Sequence, residues 1–211
     1  MARVLDKRVV NPALDVTREG APKALQANAE GTVEIVSRRF ETTRFVTIDV
    51  DLDLVIHLSE GIIGFESCRD YVVVRHDDKS AFRWLQSLQE PGVAFPVVEP
   101  FSFRPDYAPT ISDTDARMLG LKADTPTLLF VVVSVPGNDP QAMTANLLAP
   151  IVINALTRQG KQVIVLDEGY STRHDLVTEM KRTASLPATT VAVTQIAAAV
   201  VSLTDNSVRA A

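Results

Sequence analysis

The stretch VAFPVVEPFSFRPDY, residues 93–107, decides what kind of fold this chain can adopt. Its three prolines exclude a helix, because proline lacks a backbone donor and drives the preceding residue into the extended region. The stretch is therefore predicted to be a strand that runs into an irregular arm. Phe101 and Phe103 lie two residues apart and share one face of an extended arm, where they serve either as core or as an exposed aromatic contact.

Strand patterns continue on both sides of this stretch. Apolar residues recur at nearly strict period two from Phe45 to Leu58, which predicts one long half-buried strand or the two arms of a hairpin. Further strands are predicted at Tyr71–Val74, Phe82–Leu85, Leu128–Val135, Asn146–Asn154 and Gln162–Asp167.

Helical signals are scarce by comparison. Ser112 to Gly120 is predicted to be a short helix, because Ser112 is a good N-cap and Gly120 can end it. Short strands joined by turns, without an alternation of strands and helices, favour a closed or tightly bent antiparallel sheet. The predicted fold is mainly β: a single antiparallel β-barrel-like domain with one or two short helices.

The length of 211 residues and the hydrophobic content of 46% suit one domain with a sizeable core. Residues 1–31 show no sustained period and are predicted to be a flexible N-terminal leader, followed by a β domain at 32–176. Residues 177–211 are predicted to be a C-terminal extension, partly helical or disordered. The uncharged run 183–204 contains Pro187 and many threonines and alanines, so a membrane span is not expected.

Charge and cysteine content exclude several classes of protein. A net charge of -5 argues against direct binding to nucleic acid, which depends on clustered Lys and Arg. The single cysteine, Cys68, cannot form an intramolecular disulfide or a Cys-rich zinc site, which fits a reducing compartment. The first 31 residues carry no apolar run of signal-peptide length, so the expected location is the cytoplasm.

Catalytic motifs are absent from the sequence. The histidines His57, His76 and His174 have no partners at metal-ligand spacing, and there is neither a Gly-x-Ser-x-Gly elbow nor a phosphate-binding glycine loop. We therefore expect no enzyme activity, no cofactor and no metal. A hydrolase stays open as an alternative, because a triad is defined by geometry and needs a pocket that joins a histidine to Ser, Cys or a carboxylate.

Carboxylates are concentrated between residues 41 and 60. Asp49, Asp51 and Asp53 occupy the polar face of the alternating segment, and with Glu60 they match four positions of a calcium loop. Leu54 stands where such a loop needs glycine, so calcium is not expected. The three aspartates form either a solvated strand face or an acidic strip for a basic partner.

Several blocks, in this order and spacing, resemble one known family, the flagellar assembly factors named FliW. The match runs from about Val33 to about Leu176, although Ala155 and Asp175 stand where that family commonly has proline and both tails exceed its usual length. The blocks are Gly61–Glu66, Trp84–Leu88, Val98–Tyr107, Ile111–Asp113, Thr144–Asn154, Gly160–Val163 and Tyr170–His174.

The resemblance implies a cytoplasmic, non-enzymatic protein with a barrel-like β fold. Members of the family bind flagellin before its export and also bind CsrA, a small RNA-binding translational repressor, each in exchange for the other. While flagellin occupies the protein, CsrA is free to silence flagellin mRNA; after flagellin leaves, the protein captures CsrA. A flagellin-holding chaperone or scaffold without a role in translation is the alternative.

Two groups of residues are candidates for these contacts. We expect Asp49, Asp51 and Asp53 to bind CsrA through opposite charge. An apolar set is expected to bind flagellin, although its aromatic members could equally be core. This set consists of Ile62, Ile63, Phe65, Phe101 and Phe103. No heptad pattern is visible, so the free protein is expected to be a monomer.

Overall fold

The structure, a computed structural model, describes residues 3–5, 15–17, 36–75 and 80–184. Two α-helices lie within these ranges, α1 (Asp113–Met118) and α2 (Leu176–Ala184). The strands are β1 (Arg3–Val4), β2 (Asp15–Thr17), β3 (Ser37–Thr42), β4 (Val46–Asp51), β5 (Ile56–Leu58), β6 (Asp70–Arg75), β7 (Phe82–Ser87), β8 (Ala94–Val98), β9 (Thr110–Ile111), β10 (Thr127–Ser134), β11 (Thr144–Ala145), β12 (Ile151–Asn154), β13 (Gln159–Gln162) and β14 (His174–Asp175).

Seven of these strands close into a barrel in the order β12-β13-β5-β6-β7-β8-β10, and β10 returns to β12. The closing strand pairs antiparallel with β8 through Val131 and Val132 and with β12 through Thr127–Phe130. The β13–β5 pair is parallel, whereas the other pairs of the ring are antiparallel. The predicted mainly β, barrel-like fold is confirmed.

The closing strand β10 is buried on both of its faces. Leu128 and Phe130 enter one hydrophobic cluster, whereas Leu129, Val131 and Val133 enter a second cluster. The arm after β8, helix α1 and the start of α2 complete the second cluster. Burial on both faces explains why the predicted strand at this position is almost wholly apolar.

The prediction for residues 45–58 is wrong. The chain forms β4, a 3₁₀ turn at Leu52–Leu54 and then β5, and the two strands do not pair with each other. β4 forms a hairpin with β3, while β5 joins the barrel. The Asp51 carboxylate accepts a hydrogen bond of 2.9 Å from the Asp53 N–H, and this cap favours a turn over a continuing strand.

Other predicted elements have mixed outcomes. The helix after Ser112 is confirmed, with the Ser112 hydroxyl accepting a 3.1 Å hydrogen bond from the Asp115 N–H. The strands predicted at Tyr71–Val74, Phe82–Leu85 and Leu128–Val135 are also confirmed, and correspond to β6, β7 and β10. Residues 146–150 are not strand, so the strand predicted at Asn146–Asn154 was too long. The strand predicted at Gln162–Asp167 is wrong, because β13 shares only Gln162 with it and residues 163–167 are not strand. Val163 and Val165 nevertheless donate backbone hydrogen bonds to Pro150 and Leu148, which keep the segment against the barrel.

Strands β1 and β2 lie within the predicted N-terminal leader, and all of α2 except Leu176 lies within the predicted C-terminal extension. β1 pairs with β9, and β2 pairs in parallel with β6. Leu5, which follows β1, is buried in the second cluster. Most of residues 1–31, and all residues beyond 184, lie outside the described residues. The boundaries at residues 31 and 176 stay predictions.

Helix α2 is held against the arm by charged contacts. The Arg182 guanidinium donates to both carboxylate oxygens of Asp106, at 3.1 and 2.6 Å, and Arg104 donates to Glu179 at 3.3 Å. Leu176 at the start of the helix is buried, and its N–H donates to the Met143 carbonyl at 3.0 Å. These contacts fix the arm between the barrel and α2.

The connection from β5 to β6 is a tight turn built on two glycines. Gly61 and Gly64 have φ values of 71° and 87°, a region that favours glycine. A Cβ on Gly61 would lie 2.7 Å from the Phe65 carbonyl oxygen, whereas a Cβ on Gly64 would meet nothing within 4 Å. The two positions therefore share the backbone requirement but differ in available space.

Replacement of these glycines separates the two effects. We expect Gly64→Ala to lower the free energy of unfolding by about 1–2 kcal/mol through backbone strain alone. Gly61→Ala adds a backbone clash, which costs about 1–3 kcal/mol more. Urea denaturation of both variants measures the difference. Equal losses for the two variants would contradict the turn geometry.

His174, next to α2, predicts a pH dependence of stability. Burial and the neighbouring Arg104 guanidinium lower the pKa of His174, although Glu179 opposes the shift. Below about pH 6.5 the unfolded chain takes up a proton that the folded protein binds more weakly, so stability falls as the pH drops. We expect thermal unfolding of the wild type to shift more between pH 7.5 and 5.5 than that of His174→Gln. Equal shifts would contradict this assignment.

Candidate partner-binding groove

The glycine turn sorts its apolar side chains into one that is buried and two that face outward. Ile62 is buried, whereas Ile63 is 61% exposed and Phe65 is 41% exposed. The Phe65 N–H donates to the Ile62 carbonyl at 2.6 Å, which closes the turn between the two residues. The Glu66 carboxylate accepts a 2.8 Å hydrogen bond from the Gly64 N–H, which lowers the pKa of Glu66. The turn thus presents apolar side chains from a fixed backbone.

A glutamine side chain bridges this turn and the segment before β12. The Gln162 side-chain carbonyl accepts a 3.0 Å hydrogen bond from the Ile63 N–H. Its amide donates at 3.1 Å to the carbonyl of Ala149, which precedes β12. Since one side chain satisfies backbone groups on both segments, the turn cannot move independently of the segment before β12.

An apolar groove of about 320 Å³ opens beside this bridge. Phe65 packs edge-on against Phe95, with 5.0 Å between the ring centroids, next to the groove. Ile164, which also lines the groove, is 61% exposed. The lining residues are Ile62, Ile63, Phe95, Val132, Asn146, Leu148, Ala149, Gln162, Ile164 and Thr172. Exposed aliphatic and aromatic side chains beside a few polar groups are typical of a surface that binds another molecule.

The structure separates the apolar residues predicted to bind flagellin. Ile62 and Ile63 line the groove and Phe65 lies against its wall. Phe101 and Phe103 lie elsewhere, because a 3₁₀ turn at Pro100–Ser102 interrupts the arm. The expected common face is therefore wrong. Phe103 is fully buried in the second cluster, and Phe101 is half-buried with its ring 6.3 Å from Tyr107.

Sequence reasoning missed Phe95, Val132, Leu148 and Ile164. Of these four residues, only Ile164 could have been identified from the sequence. Val163 and Val165 are buried while Ile164 is exposed, so an extended segment carries apolar residues on both faces. Phe95 and Val132 gave no such signal, because their position beside the turn depends on the closure of the barrel.

The three aspartates predicted to bind CsrA do not share one exposed face. Asp51 is only 3% exposed and caps the 3₁₀ turn. Asp49 is exposed and accepts a 3.0 Å hydrogen bond from Arg39 across the β3–β4 hairpin. Asp53 is exposed in the 3₁₀ turn, and Arg158 donates to its backbone carbonyl at 3.2 Å. The prediction of a continuous acidic strand face is wrong, because the strand ends at Asp51.

A second charged cluster lies near the glycine turn. Lys161 contacts the carboxylates of Glu60 at 2.8 Å and Asp115 at 3.0 Å. The hydrogen bond from Lys161 to Glu60 is the main cause of the raised pKa of Lys161. Burial opposes ionisation of Asp115, but hydrogen bonds from Ser112 and Lys161 outweigh it and lower its pKa. The cluster joins β13, the turn and α1 and needs no ligand.

Catalytic and metal-binding arrangements receive little support from the geometry. The His57 Nδ1 atom lies 2.8 Å from Asp70, but neither residue lines the groove. His76 lies outside the described residues. Among the residues that are described, no group of three or more His, Cys, Asp or Glu side chains could hold a metal ion. In the same ranges, no helix is long and apolar enough to cross a membrane.

Comparison with known proteins gives a consistent result. A sequence model of the family described as "FliW protein" matches residues 39–176. The flagellar assembly factor FliW of Leptospira biflexa is 36% identical over 150 residues, which cover 71% of this chain and 98% of that protein. The flagellar assembly factor FliW of Desulfitobacterium hafniense is 40% identical over 143 residues, which cover 68% of this chain and 93% of that protein.

A solved structure agrees with these sequence matches. The crystal structure of a flagellar assembly factor FliW superposes with a TM-score of 0.61 at 32% sequence identity, and covers 66% of this chain and 96% of that chain. Its strands and those of this chain therefore form the same barrel. The family match, the two relatives and the shared fold lead to one conclusion: this chain belongs to the FliW family of flagellar assembly factors.

Proposed function

We propose that this protein binds flagellin in the cytoplasm before export and antagonises the translational repressor CsrA by exchanging one partner for the other. The observation that carries the proposal is the apolar groove beside the glycine turn. Ile63 and Ile164 line this groove and Phe65 packs beside it, and all three apolar side chains are exposed. The role is a binding role and requires no catalytic residue.

Flagellin is the partner that suits the groove. An apolar groove of this kind suits the apolar face of a segment from a monomeric flagellin subunit. The rigid turn and the Gln162 bridge hold Ile62 and Ile63 in place, which lowers the entropy lost on binding. We assign the groove to flagellin and no longer include the buried Phe103 among its contacts.

CsrA is the partner that suits the acidic character of the chain. RNA-binding proteins carry basic surfaces, and this chain has a net charge of -5. Asp49 and Asp53 are exposed on the β3–β4 hairpin and the following 3₁₀ turn. We assign these two carboxylates to CsrA, while Asp51 caps the 3₁₀ turn that carries Asp53.

One observation favours the simpler alternative, a flagellin-holding chaperone without a role in translation. The acidic residues are fewer at the surface than the sequence predicts, because Asp51 is buried and Asp49 already contacts Arg39. The groove does not depend on these residues. Binding of purified CsrA separates the two functions, since only the regulatory function requires it.

Charged substitutions in the groove test flagellin binding. Ile63→Glu and Ile164→Glu place a carboxylate in the apolar groove, and we expect each to weaken flagellin binding at least about tenfold. Both residues are exposed, so the fold should be retained. Fluorescence anisotropy with monomeric flagellin measures the dissociation constants.

Leu156→Glu is the matched control for the groove variants. Leu156 is exposed and apolar but does not line the groove. The Leu156→Glu variant should bind flagellin as tightly as the wild type does. If the groove variants bind flagellin as tightly as this control does, the groove is not the flagellin site.

Charge reversal tests the CsrA contact. We expect the double variant Asp49→Lys/Asp53→Lys to bind CsrA about tenfold more weakly, with a smaller dependence on salt. Asp124→Lys is a control for charge, because Asp124 is also exposed but lies before β10. Calorimetric titration at two salt concentrations gives both quantities. Unchanged CsrA binding by the double variant would remove these carboxylates from the CsrA site.

A further inference from the structure

The chain stays extended after β13, along one wall of the groove. β13 pairs antiparallel with β12. The pairing continues beyond the strand, because the Val163 N–H donates to the Pro150 carbonyl at 2.9 Å and the Val165 N–H donates to the Leu148 carbonyl at 3.0 Å. Residues 163–165 therefore prolong β13, and one side of their backbone is already paired.

Ile164 lies between these two donors, and its backbone groups point the other way. In an antiparallel pair, residues that bond to the partner strand alternate with residues whose N–H and C=O point away from it. Within the part of the chain that the structure describes, neither the N–H nor the C=O of Ile164 has a hydrogen-bond partner. The residue is also exposed. Ile164 thus carries an unpaired donor and an unpaired acceptor, which together complement the backbone of another extended chain.

The free edge beside Ile164 is bounded at both ends. β5 covers this side of β13 at first, pairing in parallel with Gln159 and Gly160 before the glycine turn leads the chain away. Beyond Ile164, the Leu166 N–H donates to the Thr110 carbonyl at 2.9 Å. From Gln162 to Leu166 an extended chain spans about 13 Å, which accommodates a short strand of about three residues. The edge is long enough for a peptide segment but not for a sheet.

The groove lies on the face of this edge that carries the Ile164 side chain. Ile63, Val132 and Leu148 line the groove together with Ile164. In a strand added beside Ile164, every second side chain shares the face of its cross-strand neighbour and therefore lies over the groove. A helix satisfies its own backbone N–H and C=O groups and would leave those of Ile164 unpaired. The combination of a free edge and an apolar groove suits an extended segment.

We propose that the groove binds its flagellin segment as an added β-strand: the Ile164 N–H and C=O bond to the backbone of an extended segment whose apolar side chains, at alternate positions, enter the groove. This inference rests on the proposed binding of flagellin and adds the conformation and the sequence pattern of the bound segment. The backbone bonds hold the segment in place, while the groove selects its side chains.

Two substitutions at Ile164 separate the backbone contact from the side-chain contact. Ile164→Ala removes the large apolar side chain but keeps the N–H, whereas Ile164→Pro removes the donor as well. We expect Ile164→Pro to bind monomeric flagellin at least about tenfold more weakly than Ile164→Ala does, measured by fluorescence anisotropy. The amides of Val163 and Val165 should stay protected from hydrogen exchange in both variants, which shows that the fold is retained.

Hydrogen exchange of the wild type tests the same contact without a substitution. The Ile164 amide should exchange freely in the protein alone and at least about tenfold more slowly when the protein is saturated with monomeric flagellin. Equal flagellin affinities of the two Ile164 variants, with the fold retained, overturn the added strand, and so does an Ile164 amide that exchanges equally fast with and without flagellin. Both of these results leave the groove as the flagellin site. If the wild type does not bind flagellin at all, the proposed function is overturned, and the added strand with it.

Discussion

The closure of the sheet by β10 is the constraint on which the rest of the structure depends. The strand pairs with β12 through its first half and with β8 through its second half, so the sheet becomes a ring. Closure removes most free strand edges and places residues distant in sequence beside each other. Phe95 at the start of β8, Val132 in β10 and Ile164 after β13 meet in one groove only because the ring is closed. The groove is therefore a consequence of the fold rather than of any local motif.

The glycine turn and the Asp51 cap determine what the barrel presents to other molecules. At Gly61, the close approach of the Phe65 carbonyl leaves no space for a side chain, and the resulting turn directs Ile63 into the groove. At Asp51, the capped 3₁₀ turn ends β4 and leaves part of the β6 edge uncovered. One local turn thus shapes the groove, while the other leaves an edge of β6 with which β2 pairs.

The sequence predicted elements whose signals are local and failed where distant contacts decide. The apolar run of β10 and the Ser112 cap of α1 required no knowledge of neighbours, and both predictions are confirmed. The alternation from Phe45 to Leu58 did not reveal the turn at Leu52–Leu54. Leu52 and Leu54 are spaced two apart, as in a strand, although one is exposed and the other is buried. Phe101 and Phe103 look equivalent in sequence, yet only Phe103 is fully buried in the second cluster. Of the groove, the glycine turn was predictable, whereas Phe95 and Ile164 required the closed ring.

The proposed exchange of partners requires that flagellin and CsrA weaken each other's binding. The most direct measurement is a calorimetric titration of CsrA into the protein, repeated with the protein saturated by flagellin. If the two partners exchange, CsrA binds in the first titration and gives a weakened or absent signal in the second. CsrA binding of equal affinity in both titrations, or no CsrA binding in either, would contradict the exchange.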